Sequence, residues 1–472
     1  TTAIPAIVLV IGVADAVHMH AAWLEARRRL AAREAVDRML AATGRACWYT
    51  TLTTVAGFSS LLVAGLESVR QFGLIAAIGI AAAYIANQAI LPGISRNLRW
   101  HAPARCGRWT ACLERRVLTL IAVSLRHPRT TVALFLLPIA LSLAALPQVI
   151  IDQRFNEELP RDDPVRVAQQ QLEEAFGGFL GPELSLRRVD GDSWAERRHL
   201  ADLRCFADRL GELAGVERIE SILDWLPADD RQWVASLDAL ERDAALSARL
   251  RERINADRTW LSISLRTRDI GTRAATELAA GASRLAEEAF GGRVESRVVG
   301  QWWIAQQGMS RLLQDMLASL LTATAIIAPM LWLLFRRLRL FLAALMTNIV
   351  PVIAAIGFMA ASGISLRIGT AVVLAVALGL AVDNTAHVGD WLTAGGRHGR
   401  LRRSTPLAVL ITTLGLIAGF ASMIGNELLV LRDMGLVAVV AFVAAFAADL
   451  LLLPALFALS GGTAERPALR VA

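Results

Sequence analysis

The sequence predicts a polytopic α-helical membrane protein, nine spans in two pseudo-symmetric repeats, with one α/β domain outside the bilayer. Three observations carry this. The 472 residues are 55% hydrophobic and 19% charged, with a mean hydropathy of +0.47, too apolar for a globular chain of this length. Apolar stretches near the roughly 20 residues that a crossing needs recur along the chain. One long polar block, residues 152–314, interrupts them.

The candidate spans are 1–20, 47–66, 71–95, 130–150, 316–335, 340–362, 368–392, 404–425 and 434–459. They divide the chain into 1–95 (spans four to six of an expected twelve), a basic linker 96–129, span seven at 130–150, the external domain 151–314, a second membrane repeat 315–459 and a tail 460–472. Every basic residue is Arg, and the net charge of +7 is unevenly placed. Residues 152–314 hold 23 Arg against 29 acids, whereas the remainder carries a balance of +13. The Arg clusters at 27–45, 96–129, 336–339, 397–403 and 466–470 all fall on one side of nine crossings, which the positive-inside rule makes the cytoplasm. The acidic block falls opposite. Trp23, Trp48, Trp100 and Trp391 stand at the cytoplasmic ends of spans, as an aromatic belt would. A nucleic-acid partner is excluded, because Arg flanks apolar segments and the soluble domain is acidic.

Within that block, 258–266 alternates Leu261, Ile263 and Leu265 against Ser262, Ser264 and Arg266, a half-buried strand. Helical spacing over 164–176 and 271–290 stops at Gly177-Gly178 and at Gly291-Gly292. The hexapeptide Glu-Glu-Ala-Phe-Gly-Gly ends both, at 173–178 and 287–292, and predicts two related helix–strand units.

The larger repeat is read from matched residues. Val13-Ala14-Asp15-Ala16-Val17-His18 aligns with Val382-Asp383-Asn384-Thr385-Ala386-His387 at an offset of 369. Beyond the next loop the offset is 362: Thr51 meets Thr413, Gly57-Phe58 meets Gly419-Phe420, Gly73 meets Gly435, and Leu91-Pro92 meets Leu453-Pro454. Spans one to three thus repeat spans seven to nine. Thr1 aligns with Thr370, so roughly 240 residues of matching first copy are expected ahead of it, and the chain reads as the C-terminal part of a twelve-span protein.

Ionisable residues inside spans mark ion or substrate paths. Asp15 with His18 and Asp383 with His387 each share one helix face at matching places in the two repeats. A carboxylate in a low-dielectric bundle beside a second carboxylate can load and release a proton. Against this stands the plainer reading, in which each Asp bonds a neighbouring helix and each His is wetted at a span end. Thr51 and Thr413, with Thr50, Thr53, Thr54 and Thr412, either extend a proton path or bond their own helix carbonyls. Asp449, matched to Asn87, is a candidate polar partner. His20 points away from His18, and Cys47, Cys106, Cys112 and Cys205 lack zinc spacing, so no metal site is expected. Phosphate loops and nucleophile elbows are absent, so neither an enzyme nor an organic cofactor is expected.

The Val-Asp-Asn-Thr-Ala-His motif at 382–387, the Thr-rich Gly-Phe span and the span ending in Leu-Pro resemble the resistance–nodulation–division (RND) superfamily. Leu159-Pro160-Arg161-Asp162-Asp163-Pro164 resembles the family's entry into its second porter domain. The branch it is most similar to is the MMPL-type lipid and hydrophobe exporters, including hopanoid exporters. The resemblance implies twelve helices, ferredoxin-like porter domains and proton-driven export from a bacterial inner membrane, with the proton gradient as the energy source. It gives Asp15, Asp383, His18 and His387 the relay role, supported by Asn384, Thr51, Thr413 and Asp449. A lipid or hydrophobic substrate and membrane lipids are the implied partners, and oligomeric state stays open between monomer and homotrimer. Two departures stand out. Each helix offers a single carboxylate, staggered by one residue (Ala14-Asp15 against Asp383-Asn384), and the external domain is short for a multidrug efflux pump. The alternatives are a Patched-like sterol-sensing regulator of the same fold, a multidrug-type efflux pump subunit and a protein-translocation accessory of the same superfamily.

Overall fold

The computed structural model describes all residues except 1–2, 66, 98–107, 151, 153, 155–158, 161, 179, 228–229, 394–403 and 461–472. Arg99, Trp100, Arg105, Cys106, Arg161 and the Arg clusters at 397–403 and 466–470 lie outside the described residues. In chain order the elements are α1 (Ala3–Arg27), α2 (Ala32–Ser59), α3 (Glu67–Asn97), α4 (Arg108–Arg126), α5 (Pro128–Ala145) and α6 (Pro164–Phe176). Then come β1 (Glu183–Arg188), α7 (Arg197–Gly211), β2 (Arg218–Glu220), α8 (Trp233–Arg242), α9 (Ala244–Arg251), β3 (Trp260–Arg266), α10 (Gly271–Phe290) and β4 (Val294–Val299). The chain closes with α11 (Gln301–Phe335), α12 (Leu338–Ser362), α13 (Ile368–Thr393), α14 (Ser404–Ala421), α15 (Leu429–Ala447) and α16 (Leu453–Leu459). They fall into two compact units, Thr1–Ile150 with Leu312–Ala472, and Ile151–Arg311.

The first unit is all helical. Six of its stretches are long and apolar enough to cross a bilayer among the described residues: Ala32–Val63, Val69–Asn97, Pro128–Gln148, Leu338–Ser362, Gly369–Thr393 and Leu429–Leu459. The other three expected spans are helical too, in α1, α11 and α14, and among the described residues two of them contribute the apolar stretches Leu321–Phe335 and Thr405–Ala421. In α11, just ahead of the expected span, Asp315 accepts the Gly65 backbone N–H at 2.7 Å. The basic loop expected over 21–46 is mostly helix. Ala35, Val36, Met39, Thr43 and Ala46 form one buried stripe, which carries α2 fifteen residues ahead of the expected start of its span, from 47 back to 32.

Helix α5 buries no residue at all, and Leu134, Leu137 and Leu141 are each more than 60% exposed. A single apolar helix presented this way suits acyl chains, since contiguous apolar surface in water marks an unfilled contact. Helix α13 is the reverse, buried along nearly its whole length, with Leu374 and Ala377 packed among Phe58, Ala76, Val437 and Phe442. Close approach depends on two matched glycines. A Cβ on Gly73 would stand 2.6 Å from the Phe58 carbonyl oxygen, and one on Gly435 would stand 2.8 Å from that of Phe420. Both glycines and both phenylalanines are related by the 362 offset, so each copy uses the same contact.

The second unit holds a four-stranded antiparallel sheet in the order β2-β3-β1-β4, with α7 between β1 and β2 and α10 between β3 and β4. The strand expected at 258–266 begins at Trp260, because Arg258 takes a left-handed turn (φ 52°). Leu261, Ile263 and Leu265 point inward as expected, onto Leu184, Leu186, Trp194, Phe206 and Phe290. Phe290 meets Trp194 and Phe206 edge-on, with ring centroids 5.5 and 5.0 Å apart. Ser264 is buried instead of solvated, since Arg253 donates to its hydroxyl.

Helix α6 starts at a built cap, the Asp163 side chain accepting from Val165 N–H at 2.8 Å with Pro164 in the first turn. Both hexapeptides end their helices alike. Gly177 (φ 69°) and Gly291 (φ 55°) are left-handed, and each N–H returns to the carbonyl of Glu173 or Glu287. The expectation of two related helix–strand units is nevertheless corrected. The sheet order pairs β1-α7-β2 with β3-α10-β4, so α6 has no matching place, and Phe176 is exposed where Phe290 is buried. The shared hexapeptide is one helix-stop chemistry used twice.

Glu220 gathers Arg266 at 2.6 Å, Arg253 at 3.2 Å and Arg218. Desolvation pushes its carboxyl up, but the Arg266 and Arg218 bonds outweigh that and hold it below the usual range. A carboxyl depressed in the folded state adds stability that is complete above the unfolded value and lost as pH falls through the folded one. Glu220→Gln should therefore lower the melting temperature at neutral pH and flatten its decline between about pH 5 and about pH 3. An unchanged acid decline in the variant would assign that stability elsewhere.

Candidate functional site

Helices α1 and α13 bring the two His-bearing motifs face to face. The rings of His18 and His387 stack with centroids 3.8 Å apart and planes 4° from parallel, both side chains buried. One turn away, Asp15 and Asp383 enter the same small cavity, which Asn384, Thr412, Ala14 and Leu416 also line. All four residues expected to carry a relay thus line one cavity, together with Asn384.

The threonines are divided by copy. Thr51 on α2 donates to Asp15 Oδ2 at 3.3 Å, and Asn384 donates through Nδ2 to Thr413 on α14 at 3.1 Å. Asp15 and Asn384 match at offset 369 and Thr51 and Thr413 at 362, so this is one contact made twice with opposite polarity. The second carboxylate breaks the pattern. Asp383 accepts from Thr54 of α2 at 3.1 Å, across the copies, while its counterpart Ala14 lies with Leu416, the counterpart of Thr54. One acid is therefore held within its own copy and the other across the two.

Asp449 lies off this cavity. Thr385, two residues past Asp383 on α13, donates to its Oδ1. His20 packs beside Trp23, with ring centroids 5.5 Å apart, and takes no part in the cavity. Sequence reasoning passed over Cys47. Its buried thiol, the Asp15 carboxylate and the His387 ring bring donor atoms within 4.8 Å of one another, a three-donor set of the kind metal ions use. Asp192, Glu196 and His199 form a similar trio in the second unit, where Arg188 and Arg198 already pair with the acids.

Residues 1–95 match the family model Patched SSD. No curated protein matches the chain. Solved structures similar in fold include two that cover nearly the whole chain. The hedgehog release protein Disp from the water bear Hypsibius dujardini superposes with a TM-score of 0.66 at 13% identity, over 97% of this chain and 63% of its own. SecDF in a super-membrane-facing form superposes with a TM-score of 0.51 at 13% identity, over 96% of this chain and 54% of its own. This chain therefore spans 54–63% of the length of the two structures it resembles. With six helices long and apolar enough to cross a bilayer among the described residues and the Patched SSD match over 1–95, the chain is a multi-pass membrane protein whose fold is similar to those of Disp and SecDF.

Proposed function

We propose that this protein is a proton-driven RND-type transporter that exports lipids or other hydrophobic molecules from a bacterial inner membrane, in the manner of the MMPL branch. The observation that carries it is the cavity in which Asp15 and Asp383, from the two matched helices, face each other beside the stacked His18 and His387. Two acids held on different copies can exchange their proton load as the copies rock, which is how alternating access is driven in repeat-built transporters. Thr51 orients Asp15 and Thr54 orients Asp383, Asn384 and Thr413 pair with each other beside them, and Cys47 closes the site from α2. The nine-span topology, with the Arg clusters cytoplasmic and 151–314 outside, is supported by the charge distribution. The β1-α7-β2-β3-α10-β4 order of the second unit supports a ferredoxin-like porter domain. No organic cofactor enters this scheme.

The Patched SSD match over 1–95 favours one second reading, a sterol-sensing regulator. Reconstitution into vesicles with fluorescent lipid in the inner leaflet separates the two. The export reading requires lipid movement that starts when a proton gradient is imposed and stops when it is collapsed. Saturable sterol binding, with no gradient-dependent movement of any lipid, would favour the regulator.

A further inference from the structure

Asp449 is 1% exposed and sits in a single π-turn, Ala448–Leu452, between α15 and α16. Such turns inside spans recur at functional positions. Thr385 of α13 donates to Asp449 and also lies within hydrogen-bond reach of Asn348 of α12, both residues buried. Their hydrogen inventory does not balance. The single Thr385 hydroxyl hydrogen stands within reach of three acceptors: Asp449 Oδ1, Asn348 Oδ1 at 3.2 Å and the Ala381 carbonyl at 3.2 Å. Asn348 places one of its two amide hydrogens on the Ala344 carbonyl at 2.8 Å and donates none to Asp449 Oδ2, and turning the amide over would set oxygen against oxygen at Ala344. Asp449 Oδ2 is buried with no hydrogen-bond partner among the described residues. An ionised carboxylate left that way is among the costliest arrangements a protein can hold.

The matched place in the first copy shows what is lacking. There Asn87, the counterpart of Asp449, donates its amide to the carbonyl of Gly12, the counterpart of Ala381, at 2.7 Å. Ala16 stands in place of Thr385. The first copy closes this contact with a neutral donor, whereas the second replaces the donor by a carboxylate and adds a hydroxyl oxygen. One positive charge balances the difference.

We propose that Asp449, Thr385 and Asn348 form a binding site for one small monovalent cation, a proton or Na+, separate from the Asp15–Asp383 cavity. The ligands are all oxygen, which suits a hard cation. Ser124 of α4 donates to the Leu451 carbonyl of the same π-turn and steadies it. Asp383 of α13 is the ionisable group on a packed helix that interacts electrostatically with Asp449. Thr385 and Asp383 share α13, so occupancy on one side of that helix is felt by the acid on the other.

The test is thermal unfolding of the purified full chain in NaCl against choline chloride at equal ionic strength, over a pH series. It involves no transport, so its outcome is independent of the export reading. The wild-type protein should melt higher when the cation is present, because a ligand that binds only the folded state stabilises it. Asp449→Asn restores the first copy's donor and should melt at the loaded temperature throughout. Thr385→Ala removes one ligand and should need about tenfold more cation for the same shift. A Na+ response lost in Asp449→Asn identifies Na+. A decline with rising pH lost in Asp449→Asn, with no Na+ response, identifies the proton. Identical Na+ and pH responses in wild type and Asp449→Asn overturn the proposal. If Asp449→Asn does not accumulate, unaltered responses in Thr385→Ala overturn it instead.

Discussion

Asp383→Asn should stop gradient-driven export while the protein inserts and accumulates normally, a loss of about a hundredfold or more if the carboxylate moves the proton. The amide keeps the shape and still accepts from Thr54, whose hydroxyl lies 3.1 Å from Asp383 Oδ1. What it cannot do is release a proton. Asp15→Asn should have the same effect, and the fold already demonstrates that this place accepts an amide. Asn384 is the counterpart of Asp15, and it donates to Thr413 just as the amide introduced by Asp15→Asn would donate to Thr51. Combining the two substitutions should add little, since groups acting as a unit are non-additive. The quantity to measure is lipid export per inserted molecule with and without a proton gradient. Full gradient-dependent export by the Asp383→Asn protein would end the relay reading, and reduced accumulation with intact activity per molecule would make the Asp structural.

Gly181→Ala should unfold the second unit at a temperature where the wild type is intact, at a cost of roughly 2–5 kcal/mol. Gly181 holds φ +141°, and a Cβ there would overlap the Leu265 carbonyl oxygen and stand 3.4 Å from Thr267 N. Leu265 N–H donates to Pro182 at 3.0 Å and Thr267 N–H to Leu180 at 2.7 Å, so the methyl group would pry β1 from β3 where the sheet is centred. Gly191 is the control. It is also left-handed (φ +81°) but faces open space, so its Ala variant should cost only about 1–2 kcal/mol. Limited proteolysis against temperature reads both, with cleavage in α8–α9 reporting the opened unit. Equal resistance of the two variants would mean that strain at the backbone, and not the clash, governs this edge.

Much of the fold was written in one-dimensional patterns. Apolar runs located the helices, Gly pairs located the left-handed caps of α6 and α10, and alternation located β3. These are local properties of the chain. The site was half legible. Matched Asp–His motifs are visible because duplication leaves a fixed offset, and that offset also paired Thr51 with Thr413 while leaving open what their hydroxyls bond. It could not foretell Thr54 with Asp383, which joins opposite copies and replaces an apolar pair at the matched place. Cys47 was invisible for a similar reason: it reaches the cavity only once α2 packs on α1. The early start of α2 escaped because the apolar stripe over 35–46 is broken by Asp37, Arg38 and Arg45, and a window of average hydropathy sees a loop.

The five threonines of α2 spend their hydrogens on their own helix: Thr43 on the Met39 carbonyl, Thr50 and Thr51 on that of Cys47, Thr53 and Thr54 on that of Thr50. Two of them, Thr51 and Thr54, also face the acids. Each of these two hydroxyls has one hydrogen and two claimants. When an acid is ionised it draws that hydrogen toward itself, and when the acid is protonated the hydrogen returns to the backbone. Helices bend slightly where such a side chain tightens a carbonyl. The charge in the cavity is thereby converted into the straightness of α2, by a turn of an O–H bond and with no heavy atom obliged to move first.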